Sequence, residues 1–254
     1  YNFYSLEVVQ RIGFDSFCPD SGVLLSKNKD KLWGHNGGPN AFNSYIWVID
    51  AHPEDINVVD YVSPSGEKVM RTIADYRQLN DALFHAGLNS GSQFEYQDEP
   101  NRLHFYVVSV DRNRDGILTY TLAIRSLDGS GPQIRGLELT PLSTSIKATS
   151  GLIPVTFSLK NTGQPAEVDP KLHPSDASGH LNCDLYRLEV SISGQGWQVQ
   201  LPNALASVEF GQTSDITVYV LPSKGASGEA TVVLKATSES QPDKTAEATV
   251  NLSL

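Results

Sequence analysis

Asp111, Asn113 and Asp115 stand on alternate residues and are followed at once by Gly116. Three oxygen-bearing side chains spaced this way converge inside a tight loop, and the glycine lets the backbone turn sharply. A hard divalent cation, calcium above all, takes such a set, with the Ile117 carbonyl as a further oxygen. The same spacing has a plainer use, because Asn and Asp side chains bond their own backbone in hairpin turns. Against the metal stand Arg112 and Arg114, whose charge opposes a cation. Leu122 also occupies the place where an EF-hand loop carries glutamate. Both readings of this loop, calcium site and ordinary hairpin turn, stay open at the level of sequence.

Other chemistry is thinner. None of His35, His52, His85, His104, His173 or His180 is followed by Glu, so the H-E-x-x-H zinc motif is absent and no catalytic residue is assigned. His35 and His52 beside Asp50 offer a second, weaker metal set. No G-x-S-x-G elbow exists; Ser90 in Gly87-Leu-Asn-Ser-Gly91 has the wrong spacing. Trp33, with Phe42 and Tyr45 near it in sequence, would make a stacking platform for a sugar; the alternative is that Trp33 tucks back to pin its own loop. Cys18 and Cys183 are the two cysteines, and either form one disulfide tying the halves together or remain two thiols. Asn251-Leu-Ser253 is an N-glycosylation sequon.

The elements that must position these residues are mostly strands. Residues 102–110 and 117–124 alternate apolar and polar side chains on either side of the Asp/Asn loop, which makes them a hairpin. Residues 4–9, 22–25 and 45–49 read as strands, the last β-branched and aromatic throughout. Residues 27–43 form a long polar Gly/Asn loop. Residues 75–87 read as the one helix, with Asp75 as N-cap, Tyr76, Leu79, Leu83 and Phe84 on one face, and Gly87 as the stop. A Gly/Ser/Pro seam at residues 126–133 ends the first half.

Beyond the seam, strand candidates follow at residues 136–142, 153–160, 186–193, 198–201, 214–220, 229–237 and 246–254. About seven short strands in some hundred residues predict an immunoglobulin-like sandwich. Val155, Phe157 and Leu159, with Ile216, Val218 and Val220, are its expected core, and Trp197 its anchor, with an indole N–H that needs a partner. The expected organisation is a β-rich domain with one helix over residues 1–133 and a β-sandwich over residues 134–254. The fold class is mostly β.

Bulk properties narrow the partners. The net charge of −10 disfavours nucleic acid, whose phosphates need a basic face. No apolar run reaches the ~20 residues that cross a bilayer as a helix. The chain opens inside a strand, at Tyr1 and without Met, as a piece of a longer protein would.

Two resemblances add to this. Phe157-Ser-Leu-Lys-Asn-Thr-Gly163, Ser193-Gly-Gln-Gly-Trp-Gln-Val199, Gly211 and Ala230-Thr-Val-Val-Leu-Lys-Ala-Thr237 resemble the NEW-type Ig-like domains of secreted bacterial proteins. That resemblance implies a non-catalytic spacer or accessory domain. Tyr4-Ser-Leu-Glu-Val-Val9, Gly13-Phe-Asp15, Asp20-Ser-Gly-Val-Leu-Leu25 and Val48-Ile-Asp50 resemble the region after the catalytic core of immune-inhibitor-A-like secreted metallopeptidases. It implies a secreted, extracellular protein whose partner is the rest of a larger precursor, or a polysaccharide or protein surface. The expected function is thus a non-catalytic C-terminal module that stabilises and binds. The alternatives are a secreted hydrolase with its site around residues 34–43 and 50–54, and a carbohydrate-binding accessory module.

Overall fold

The computed structural model describes residues 2–18, 20–29, 45–54, 58–70, 82–148, 151–167, 171, 182–226 and 228–254. It is mostly β, and among these residues the helical turns are short 3-10 ones such as Gly13–Asp15 and Glu99–Asn101. No helix among them is long and apolar enough to cross a membrane. The chain divides into two compact units, residues 1–97 with 105–122 and residues 98–104 with 123–254.

In the first unit β1 (Asn2–Val9), β2 (Gly22–Lys29) and β3 (Tyr45–Ile49) form an antiparallel sheet in that order. The central strand is buried on both faces. Val23 and Leu25 lie on one face, where Val8 and Leu6 pair with them, and Ser26 and Asn28 lie on the other. The buried polar pair is satisfied through Ser5, whose hydroxyl bonds Ser26 Oγ at 2.7 Å and accepts from Asn28 Nδ2 at 2.8 Å. That is the condition for keeping such groups out of water. β4 (Val59–Val62) and β5 (Lys68–Met70) form a separate hairpin.

β6 (Glu95–Asp98), β7 (Leu103–Arg112) and β8 (Leu118–Ser126) make a third sheet. Phe105 from β7 meets Tyr4 from β1 at 4.7 Å between ring centres, within the range where aromatic pairs attract. Phe105, Leu6, Val23, Leu25, Phe84 and Phe94 line a cavity of about 10 Å³, room for a single water.

The helix expected over residues 75–87 needs correction where it can be seen. Residues 75–81 lie outside the described residues. Residues 82–87 are extended or bent: Phe84 pairs with Val23 through two backbone hydrogen bonds of 2.9 Å, an isolated bridge at the edge of β2. Ala82, Leu83 and Phe84 are all buried, so consecutive side chains have cover on every side. At Leu83 and Phe84 the apolar spacing that resembled a helical face comes from this two-sided burial.

The second unit holds a β-sandwich. One sheet orders β10 (Ser145–Lys147), β17 (Thr245–Ser253), β16 (Glu229–Ser238), β12 (Cys183–Ser193) and β14 (Leu205–Glu209). The other orders β13 (Trp197–Gln200), β15 (Thr213–Pro222), β11 (Ile153–Asn161) and β9 (Leu137–Pro141). All pairings are antiparallel except β10 with β17. Strand alternation sends Val155, Phe157 and Leu159 inward against Val218, Val220, Val232, Leu234, Val250 and Leu252, all essentially dry. Each such side chain contributes about 1.5–3 kcal/mol of burial, and this cluster holds the unit together. Ile216 is only partly buried and packs at its margin. Trp197 is the expected anchor, but its indole N–H finds no partner among the described residues.

Candidate functional site

The segment between β1 and β2 carries the most exposed apolar side chains of the first unit among the described residues. Its backbone is well bonded: Ile12 N donates to Gln10 O at 2.6 Å, Asp15 N to Ile12 O at 3.1 Å and Cys18 N to Asp15 O at 3.0 Å. The segment is also closed across its base, where Arg11 N donates to Ser21 Oγ at 3.0 Å. On this built turn Phe14 is 98% exposed and Phe17 83% exposed, and Ile12 is half exposed beside them. Covering one phenyl ring is worth about 1.5–3 kcal/mol, so two rings held out from a bonded turn form a surface that gains by being covered. The sequence carried a signal for this, two phenylalanines in a segment otherwise made of turn residues, but it was not read as a site.

The Asp/Asn loop between β7 and β8 closes on itself. Asn113 Oδ1 accepts from Asp115 N and from Ile117 N, both at 2.9 Å. Asn113 N donates to Ile117 O at 3.0 Å, and Gly116 N to Asn113 O at 3.0 Å. Gly116 has φ +82°, the left-handed backbone that favours glycine. Arg112 Nη1 donates to Gly116 O at 3.0 Å. Gln10 then fixes the loop to β1, donating from Nε2 to Gly116 O at 2.6 Å and accepting from Leu118 N at 3.0 Å. Two of the four oxygens expected to face calcium, Asn113 Oδ1 and Ile117 O, are thus engaged by loop amides, and a guanidinium adjoins them. The residues present fit a self-bonded turn better than a cation. Among the described residues no group of three His, Cys, Asp or Glu gathers as a metal site would require.

Of the other expected site residues, several lie outside the described ones. Trp33, Phe42 and His35 lie outside the described residues, and Tyr45 is placed only by its backbone, at the start of β3 opposite Lys29. His52 Nε2 bonds Gly91 O at 3.0 Å, while its own N–H donates to Asp50 Oδ1 at 2.8 Å. Cys18 stands in the first unit and Cys183 in the second, each as a thiol. Asn251 is exposed on β17. One pair the sequence did not suggest is His85 with Asp20, 3.5 Å apart.

The second unit has its own polar centre. Asp184 lies fully buried and accepts from Arg135 Nη1 at 3.1 Å, Leu185 N at 2.9 Å, Ser240 Oγ at 2.9 Å and Ser238 Oγ at 2.6 Å. Tyr186 beside it donates its hydroxyl to Gly136 O at 3.0 Å. Burial pushes the Tyr186 pKa well above the ordinary phenol value, the Asp184 charge pushes it further, and Arg135 works against both. Four donors saturate the carboxylate, and a saturated, dry ion pair of this kind is structural.

Comparison with known proteins places the chain. A family model described as a middle domain matches residues 1–127, and one described as a Peptidase M6-like domain matches residues 137–254. The chain belongs to the family that this middle-domain model describes, and its second half is similar to a Peptidase M6-like domain. It is 46% identical over 259 residues to a protein of Arthroderma benhamiae named "Putative secreted metallopeptidase". The match covers 99% of this chain and 36% of that protein, so the chain spans about a third of its relative's length. Among solved structures it resembles a C. elegans MSP family member, WR4, at 13% identity and TM-score 0.27, covering 46% of this chain and 95% of that one. It also resembles a FixG-related protein from Vibrio parahaemolyticus, at 14% identity and TM-score 0.30, covering 47% and 94%.

Proposed function

We propose that this chain is a non-catalytic accessory region of a secreted metallopeptidase-like protein, a module that docks to and stabilises the remainder of the longer molecule. Phe14 and Phe17 carry the reading. A hydrogen-bonded turn presents both rings almost bare, a binding feature with no chemistry of its own. Family membership and the short share of the relative that the chain spans support the choice of partner, the portion of the same protein that would hold the peptidase core. The sandwich then acts as a spacer domain of the Ig-like, NEW type. The relative's being named as secreted supports an extracellular location.

The test is to express the peptidase portion separately and titrate it with this chain by calorimetry. Binding that falls at least tenfold in a Phe14→Ser/Phe17→Ser variant, whose melting temperature is unchanged, is the expected result. Equal affinity of the two forms would reject the docking surface. Hydrolysis of a peptide substrate by this chain alone would reject the non-catalytic assignment.

A further inference from the structure

Asn251 is the asparagine of the Asn-x-Ser/Thr triplet at residues 251–253, and its middle residue, Leu252, is not proline. The structure gives that triplet a specific setting. β17 is locked from both sides: Asn251 pairs with Thr231 of β16 and, in parallel register, with Ser145 of β10, and its N–H donates to Thr144 O at 3.0 Å. Strand alternation buries Leu252 in the sandwich core and turns Asn251 to the outer face, where it is exposed. There Asn251 Oδ1 accepts from Thr231 Oγ1 at 3.2 Å, and Nδ2, the atom that would carry a sugar, has no partner among the described residues. The neighbours on that face are short: Thr231 and Ser145 across the strands, Thr249 and Ser253 along β17.

We propose that Asn251 is an N-glycosylation site, carrying an oligosaccharide that covers the outer face of β16 and β17. The inference rests on the secretory reading above. The donor is a lipid-diphosphate-linked oligosaccharide. Asn251 Nδ2 forms a bond to sugar C1, the bond from C1 to the phosphate oxygen breaks, the amide gives up one proton, and the lipid diphosphate leaves. Because β17 is paired on both sides, transfer precedes closure of the sheet. The folded state then has only to tolerate the product, and an outward Nδ2 among Ser and Thr side chains does so. A glycan here removes this face of the sandwich from any docking surface.

The test expresses the full-length protein behind a heterologous secretory leader in a eukaryotic host, with peptide-N-glycosidase treatment and peptide mass spectrometry. A glycosidase-sensitive shift assigned to Asn251 is expected, lost in Ser253→Ala, which leaves Asn251 and its Thr231 bond in place, and kept in Ser253→Thr. An unmodified Asn251 peptide in the wild-type protein, or an unchanged shift in Ser253→Ala, would overturn the site. Expression from the complete natural gene is scored separately: a protein retained in the cell yet modified at Asn251 supports the site and rejects secretion.

Discussion

Arg135 Nη1 lies 3.1 Å from Asp184 Oδ1, with the arginine side chain 8% exposed and the aspartate fully buried. Arg135 also donates to Ser130 O, Gln133 Oε1 and Cys183 O at 3.0–3.2 Å, and its guanidinium faces the Phe210 ring at 5.7 Å. Residues 130–135 are therefore strapped to β12, and the strap depends on a charge pair that water cannot screen.

The two halves of that pair are not equivalent, which gives the first prediction. Removing Asp184 leaves an arginine that cannot shed its proton in a dry site. Removing Arg135 leaves a carboxylate with three donors still in place and the option of taking up a proton. Asp184→Ala is expected to cost the sandwich about 3–5 kcal/mol, and Arg135→Met clearly less, both read from urea unfolding. Equal costs would show that the charge asymmetry does not govern the site.

What composition could and could not reveal is plain at this strap. The Gly, Ser and Pro of residues 126–133 read as a seam, and local sequence offers no sign that Arg135 binds a partner on a distant strand. The sandwich strands were legible because alternation is local: Val155, Phe157 and Leu159 announce a buried face, as do Val232 and Leu234. β14 was missed, since Leu205, Ala206 and Val208 are buried in a pattern that reads as neither clean period. The Asp/Asn loop was legible as a tight turn but not as a choice between metal and amide, because Gln10, which completes it, lies just past the end of β1, far away in the sequence. The exposure of Phe14 and Phe17 was only hinted at by their place among turn residues, since sequence does not say which apolar side chains a turn holds out to solvent.

A second prediction concerns close approach in the first unit. A Cβ on Gly22 would lie 2.7 Å from His85 Cδ2 and 2.8 Å from Leu83 Cβ, closer than van der Waals contact allows. The bridge between Val23 and Phe84, one residue on, holds these segments together. Gly22→Ala is expected to destabilise the first unit by about 1–3 kcal/mol, seen as a lower melting temperature for that unit with the sandwich transition unmoved. An unchanged melt would mean that the segment around His85 yields freely.

Calcium supplies the third. With Asn113 Oδ1 accepting two amides and Ile117 O a third, the loop has to open before these oxygens can turn to a cation. Melting in excess calcium and in excess chelator is expected to give the same midpoint, since a ligand held only by the folded state must raise it. Asn113→Ala, by contrast, removes two bonds worth about 0.5–1.5 kcal/mol each and should lower the midpoint whether or not calcium is present. A calcium-dependent rise abolished by Asn113→Ala would restore the metal reading.

The fourth follows from Tyr186. Its hydroxyl is held neutral by burial and by the adjacent Asp184 charge, so its folded pKa stands above the ordinary value of 10.0. Below pH 10 both folded and unfolded chains keep the proton, and the group adds no pH dependence. Above it the unfolded chain loses the proton while the folded chain retains it. The unfolded state then binds fewer protons, and stability falls as pH rises. The sandwich should therefore lose stability progressively above about pH 10, the phenol's ordinary value. Tyr186→Phe forfeits the bond to Gly136 O, so it starts less stable at pH 8, but its alkaline limb should be flatter because the titrating group is gone. Melting curves of both proteins from pH 8 to 11.5 decide the matter: parallel alkaline limbs would assign the loss to other groups, and converging ones to Tyr186.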